Sequence, residues 1–229
     1  MFAEALARTI AQITDPAFFR VLLRIVLLTI VTLGLSVYGI ISAISHYYLG
    51  DGGILSGLAL WAAALAAVWA AYLTFIPVSA IFSGLFLDDV VDAVEARYYS
   101  DRPAGARLGA WTATWLGLRI GLYILAFNLL ALPLYIMTIW LPFVPIVIFY
   151  GLNSYLIGWG YYELVAIRHL GAREATRHRK NIRGRILGSG LLITASFTVP
   201  FINLIAPILA TAFLVHIFHA SRISSEVTG

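Results

Sequence analysis

The sequence predicts an all-α membrane protein with an amphipathic N-terminal helix, two long transmembrane helices and two helical hairpins able to penetrate only part of the bilayer. Three observations carry that prediction. No charge interrupts the run from Ile54 to Leu87, whereas about 20 apolar helical residues already cross the hydrocarbon core of a bilayer. Of the 229 residues 61% are hydrophobic and 11% charged, and mean hydropathy is +0.91, beyond what a water-facing surface tolerates. The charges that remain are gathered into short segments between apolar units. No soluble domain is left once those units are set aside, so residues 1–229 form a single integral membrane domain.

Met1 to Ile13 places Phe2, Leu6, Ile10 and Ile13 at helical spacing opposite Glu4, Arg8 and Gln12, the pattern of a helix lying in the membrane interface. Glu4 and Asp15 flank this stretch, which does not suit a cleavable signal peptide. Asp15-Pro16 starts the first spanning helix, which continues to about Tyr48, with Asp15 as a cap and Pro16 in the first turn. Gly50-Asp51-Gly52-Gly53 turns the chain into the second long span, which is expected to bend at Pro77.

Asp88 to Arg107 returns to water as a short amphipathic helix followed by the breaker Ser100-Asp101-Arg102-Pro103. Leu108 to Ile167, interrupted by Pro133, Pro142 and Pro145, reads as a hairpin of two helices joined by an apolar, proline-rich turn. Arg168 to Arg185 then carries seven Lys/Arg against one Glu. Pro200-Phe201-Ile202-Asn203 splits the last apolar region, Ile186 to Ala220, into two arms. Each arm of roughly 15 residues reaches about 22 Å, short of the roughly 30 Å core.

Every charged segment except the Asp51 loop can therefore share one face, and the basic run makes that face cytoplasmic. Half-depth hairpins must bury their broken backbone against protein or a water-filled cavity, as a permeation path would provide. The chain has no cysteine, which excludes disulfides and thiolate ligands but does not fix the compartment. No nucleophile–base pair, metal set or phosphate loop is visible, so neither an enzyme nor a cofactor is expected.

The runs Pro200 to Pro207 (PFINLIAP), Ala212 to His216 (AFLVH), Phe86 to Glu95 (FLDDVVDAVE) and Tyr155 to Leu170 (YLIGWGYYELVAIRHL) resemble, in order, the family that joins bacterial CysZ sulfate permeases to the eukaryotic etoposide-induced protein. The resemblance spans nearly the whole chain. It implies two long spanning helices, two partly penetrating hairpins, a bacterial inner-membrane location and assembly, as a homo-oligomer, around a path for sulfate or a similar oxyanion. It also implies an anion site at the start of the first span, where such permeases place Gly-Leu-Arg after a proline. Here that run is Pro16-Ala17-Phe18-Phe19-Arg20, without the glycine and one arginine, and Asp15 puts a carboxylate beside it.

Candidate anion-binding residues are Arg20, next to the N–H donors of a helix N-terminus, and Arg24 one turn further in. Arginines snorkelling to lipid headgroups give the same pattern. Arg119 lies inside the apolar run Leu108 to Leu132, where a charge is costly and needs a partner or a wet cavity. Glu95 is its expected partner, and the two are assigned to the pore lining, with a structural ion pair near the interface as the other reading. Asn203 is placed at the same path, with capping of the second arm as its other role. His216 and His219 share a helical face without a visible third ligand, so no metal is expected. The six tryptophans read as interface anchors or packing, and the basic run as a contact for anionic membrane lipids rather than nucleic acid. A non-transporting membrane scaffold is the second functional reading.

Overall fold

The computed structural model describes residues 2–48, 57–58, 60–71, 86–199 and 202–227. All regular elements among them are helices: α1 (Phe2–Gln12), α2 (Pro16–Tyr48), α3 (Leu60–Ala71), α4 (Leu87–Tyr98), α5 (Ala110–Thr138), α6 (Val144–Asn181), α7 (Arg183–Thr198) and α8 (Ile202–Val227). Phe18–His46, Ala110–Thr138 and Ile205–Ile223 are long and apolar enough to cross a membrane. The all-α membrane class is therefore observed. The Gly50 to Gly53 turn, the Pro77 bend and Pro200-Phe201 lie outside the described residues.

The chain forms two compact units, Leu23–Phe82 and the remainder, Met1–Leu22 with Ser83–Gly229. The former holds most of α2 and α3, whose Leu27, Ile30, Leu35, Trp61, Leu65 and Trp69 are exposed, as befits helices solvated by lipid. The latter is built around α8, which packs against α1, α4, α6 and α7. Its Ala206, Ala212, Leu214, Val215 and Ile217 are inaccessible. An apolar helix buried on all sides is a core helix whatever surrounds the protein.

On α1 it is Ala5, Thr9 and Gln12 that are buried, and the helix packs on α8 with Phe2 against the Phe213 ring. Leu6 and Ile10 remain exposed, leaving an apolar stripe for the interface. Three boundaries differ from the sequence reading. Pro133 sits inside α5, which runs on to Thr138, so the hairpin turns at residues 139–143; a proline removes one helical bond, and the long apolar segment on either side outweighs that loss. α6 extends through most of the basic segment, broken at Gly171, where φ 72 and ψ 167 are conformations that glycine alone tolerates well. α7 keeps the short-arm length at 16 residues, but α8 runs for 26, continuing past Ala220 where Ser221 bonds back to the Phe218 carbonyl.

In lipid, helices associate through close packing of small residues rather than through a hydrophobic driving force. Gly158 and Gly190 supply this contact between α6 and α7: a Cβ on Gly190 would lie 1.8 Å from the Ser154 carbonyl oxygen, and one on Gly158 2.6 Å from that of Ile186. Gly190→Ala must therefore push the α6 and α7 backbones apart and is expected to cost about 3 kcal/mol, at the upper end for overpacking. A Cβ on Gly160 meets the Ile120 side chain on α5, which can turn aside. Thermal unfolding in detergent should rank Gly190→Ala well below Gly160→Ala, and equal melting temperatures would refute the backbone contact. α5 and α6 are further joined by a reciprocal amide pair, Asn128 Nδ2 to Asn153 Oδ1 at 3.0 Å and the reverse bond at 3.1 Å.

Candidate functional site

α4 is positioned by Leu87, Val90, Val91 and Val94, all buried, while Asp88, Asp92 and Glu95 recur at helical spacing along an acidic edge. Asp88 and Asp89 in the first turn also suit the positive end of the helix dipole. The start of the basic segment meets this edge. The Arg168 side chain is inaccessible, donates to Asp88 Oδ1 at 2.6 Å and to the Asp88 carbonyl at 3.2 Å, and pairs with Asp92 through its other nitrogen. Asp88 also accepts the backbone N–H groups of Leu108 and Gly109, fixing the start of α5. Arg107 bridges Asp89 and Asp92 from the loop, and the Ala106 N–H donates to the Arg168 carbonyl at 2.8 Å. These bonds hold residues 88–109 to the beginning of the basic segment.

Glu95 does not meet Arg119. Its Oε1 lies 2.7 Å from His169 Nε2 and 3.1 Å from His219 Nε2, while Oε2 is buried without a hydrogen-bond partner. Burial acts to raise the Glu95 carboxyl, but the hydrogen bonds and charge of the two imidazoles outweigh it and hold it at about 2. The His219 ring stacks on Tyr99 at 3.9 Å and the His169 ring on Phe218 at 4.8 Å. His216 is drawn elsewhere, its Nδ1 2.9 Å from the Tyr99 hydroxyl. The pairing expected between Glu95 and Arg119 is thus corrected: Glu95 of α4 faces His219 of α8 and His169 of α6, just before the break at Gly171, and these two imidazoles occupy the place assigned to the guanidinium.

Arg119 is exposed on α5, with its guanidinium 5.6 Å from the centre of the Tyr123 ring. It lines a shallow cleft with Ile120, Tyr123, Trp159 and Glu163, and the Trp159 indole N–H donates to Glu163. Glu163 is accordingly the carboxylate that shares its surroundings. Arg20 and Arg24 are both exposed on α2, on a different side from the buried Phe18, Val21 and Ile25. Asp15 is engaged by Arg97 at 2.6 Å, which offsets the negative charge beside Arg20. Asn203 stands inside the first turn of α8 with Oδ1 buried and unpartnered, so its side-chain oxygen does not cap that helix.

Sequence reasoning passed over Arg168, His169 and Asp88. The available signal was the acidic spacing in FLDDVVDAVE together with Arg168-His169 opening the basic run.

Three helices long and apolar enough to cross a membrane define an integral membrane protein. Residues 5–207 match the family described as Sulfate transporter CysZ/Etoposide-induced protein 2.4, and the chain belongs to that family. No match is found among curated proteins.

Proposed function

We propose that this chain is a CysZ-like permease that passes sulfate or a related oxyanion across the bacterial inner membrane into the cytoplasm, as a homo-oligomer and without enzymatic activity or a cofactor for transport. The observation that carries the proposal is Arg119. None of the most apolar stretch of the α5 span is buried within the chain, yet Arg119 is exposed on that helix. At 1.5 Å per residue it lies about 13 Å from the start of a helix about 43 Å long, inside the hydrocarbon of a roughly 30 Å core when the helix is centred. A charge there requires protein or water around it. Further copies of the chain supply both, and a wet arginine-lined seam attracts anions.

Glu163 in the same cleft tempers that attraction so that the anion can leave, and Asn203 is assigned to the path as a further polar group. Glu95 is assigned to the same path as a pore-lining residue of its polar end. Arg20 and Arg24, with Asp15 neutralised by Arg97, form the capture site. The basic run contacts anionic lipid headgroups rather than nucleic acid.

Purified protein reconstituted into vesicles should take up labelled sulfate faster than protein-free vesicles, with unlabelled sulfate competing. Uptake equal to that of protein-free vesicles would overturn the permease and favour a membrane scaffold.

A further inference from the structure

The three side chains Glu95, His169 and His219 come from α4, α6 and α8, and their ligand atoms all lie within 4.8 Å of one another. Two imidazole nitrogens and a carboxylate oxygen form a donor set that zinc accepts, with a fourth position left for water. Tetrahedral bonds of about 2.0–2.2 Å place neighbouring ligand atoms roughly 3.4 Å apart. The separations of 2.7 and 3.1 Å therefore have to open, and the separation of the two imidazole nitrogens, within 4.8 Å, has to settle near the same value, for an ion to replace the hydrogen bonds.

Two further observations point to a ligand. Glu95 Oε2 is buried with no hydrogen-bond partner, a costly state for a carboxylate oxygen that a cation would relieve. Gly105 keeps space beside the His169 ligand atom: a Cβ there would come within 2.9 Å of both Nε2 and Cε1. The Ala106 to Arg168 backbone bond holds the loop in that position. The rings are already oriented by Tyr99 and Phe218, so binding orders little that is not ordered.

We propose that Glu95, His169 and His219 form a divalent-metal site of the zinc type, which ties α4, α6 and α8 together. It does not rest on the permease reading, and it gives Glu95 the role of a ligand in place of a pore-lining one. The test uses the full chain in detergent, dialysed against a chelator and titrated with Co²⁺ and then Zn²⁺. About one Co²⁺ per chain is expected, with the intense visible absorption of a four- or five-coordinate ion, bleached when Zn²⁺ displaces it. His169→Ala, His219→Ala and Glu95→Gln should each weaken binding at least tenfold, whereas His46→Ala should not.

Glu95→Gln preserves side-chain shape and so remains informative where a histidine variant fails gel filtration. Substoichiometric Co²⁺ binding by the parent, a weak octahedral spectrum, or affinity unchanged in the folded variants would each overturn the site.

Discussion

Arg119→Ala is expected to lower sulfate flux into reconstituted vesicles tenfold or more. An anion entering a low-dielectric path loses hydration, and a fixed guanidinium offsets some of that cost. Tenfold corresponds to only about 1.4 kcal/mol, within reach of one charge in a partly wet seam. The substitution should leave the fold intact. Arg119 makes no ion pair among the described residues and rests over the Tyr123 ring on its own helix, so its removal strands no buried carboxylate.

Arg119→Lys should retain some of the flux, because the charge persists while the planar fork is lost. Arg20→Ala should act mainly at low sulfate, as a capture residue does. Gel filtration of each variant separates lost transport from lost assembly. Unchanged flux in both alanine variants would remove the arginines from the path and transfer preference to the scaffold.

Those elements whose physics is local could be read from the sequence. α1, the amphipathic α4 and the first long span depend on spacing within a few turns and stand close to where the pattern put them, whereas of the second long span only Leu60–Ala71 lies in a described helix of any length. Pro133 misled because a proline weakens a helix locally, whereas a 29-residue apolar segment is held by its whole length. Arg119 was singled out from its depth alone, and it is exposed on α5. Its assigned partner was wrong because pairing depends on which helix ends meet. Glu95, His169 and His219 are separated by scores of residues, and no periodicity in one helix indicates that three helices converge on them. His216 and His219 looked like the natural pair, yet the buried face of α8 divides them between Tyr99 and Glu95. Gly158 and Gly190 were equally silent, since a glycine at a helix crossing differs from any other only when the facing backbone is known.

Arg168→Ala should destabilise the chain by about 3–5 kcal/mol, the cost of breaking a buried ion pair from one side. The Arg168 side chain is wholly inaccessible and its partner Asp88 is nearly so. With the guanidinium gone, Asp88 keeps only the N–H groups of Leu108 and Gly109, too little to solvate a full charge. Asp92 is 42% exposed, so water can replace Arg168 there, and Asp92→Asn should cost less than about 1 kcal/mol.

Adding Asp88→Asn to Arg168→Ala should recover some of the loss, because the uncompensated charge leaves with it. Unfolding of the detergent-solubilised variants as a double-mutant cycle measures the coupling directly. Stability of Arg168→Ala within about 1 kcal/mol of the parent would show that the acidic edge of α4 tolerates its charges unaided. The reverse outcome identifies this pair as the joint between α4 and α6 just before its break at Gly171, with Asp88 extending it to the start of α5. Any displacement of one of these three segments must then carry the other two with it.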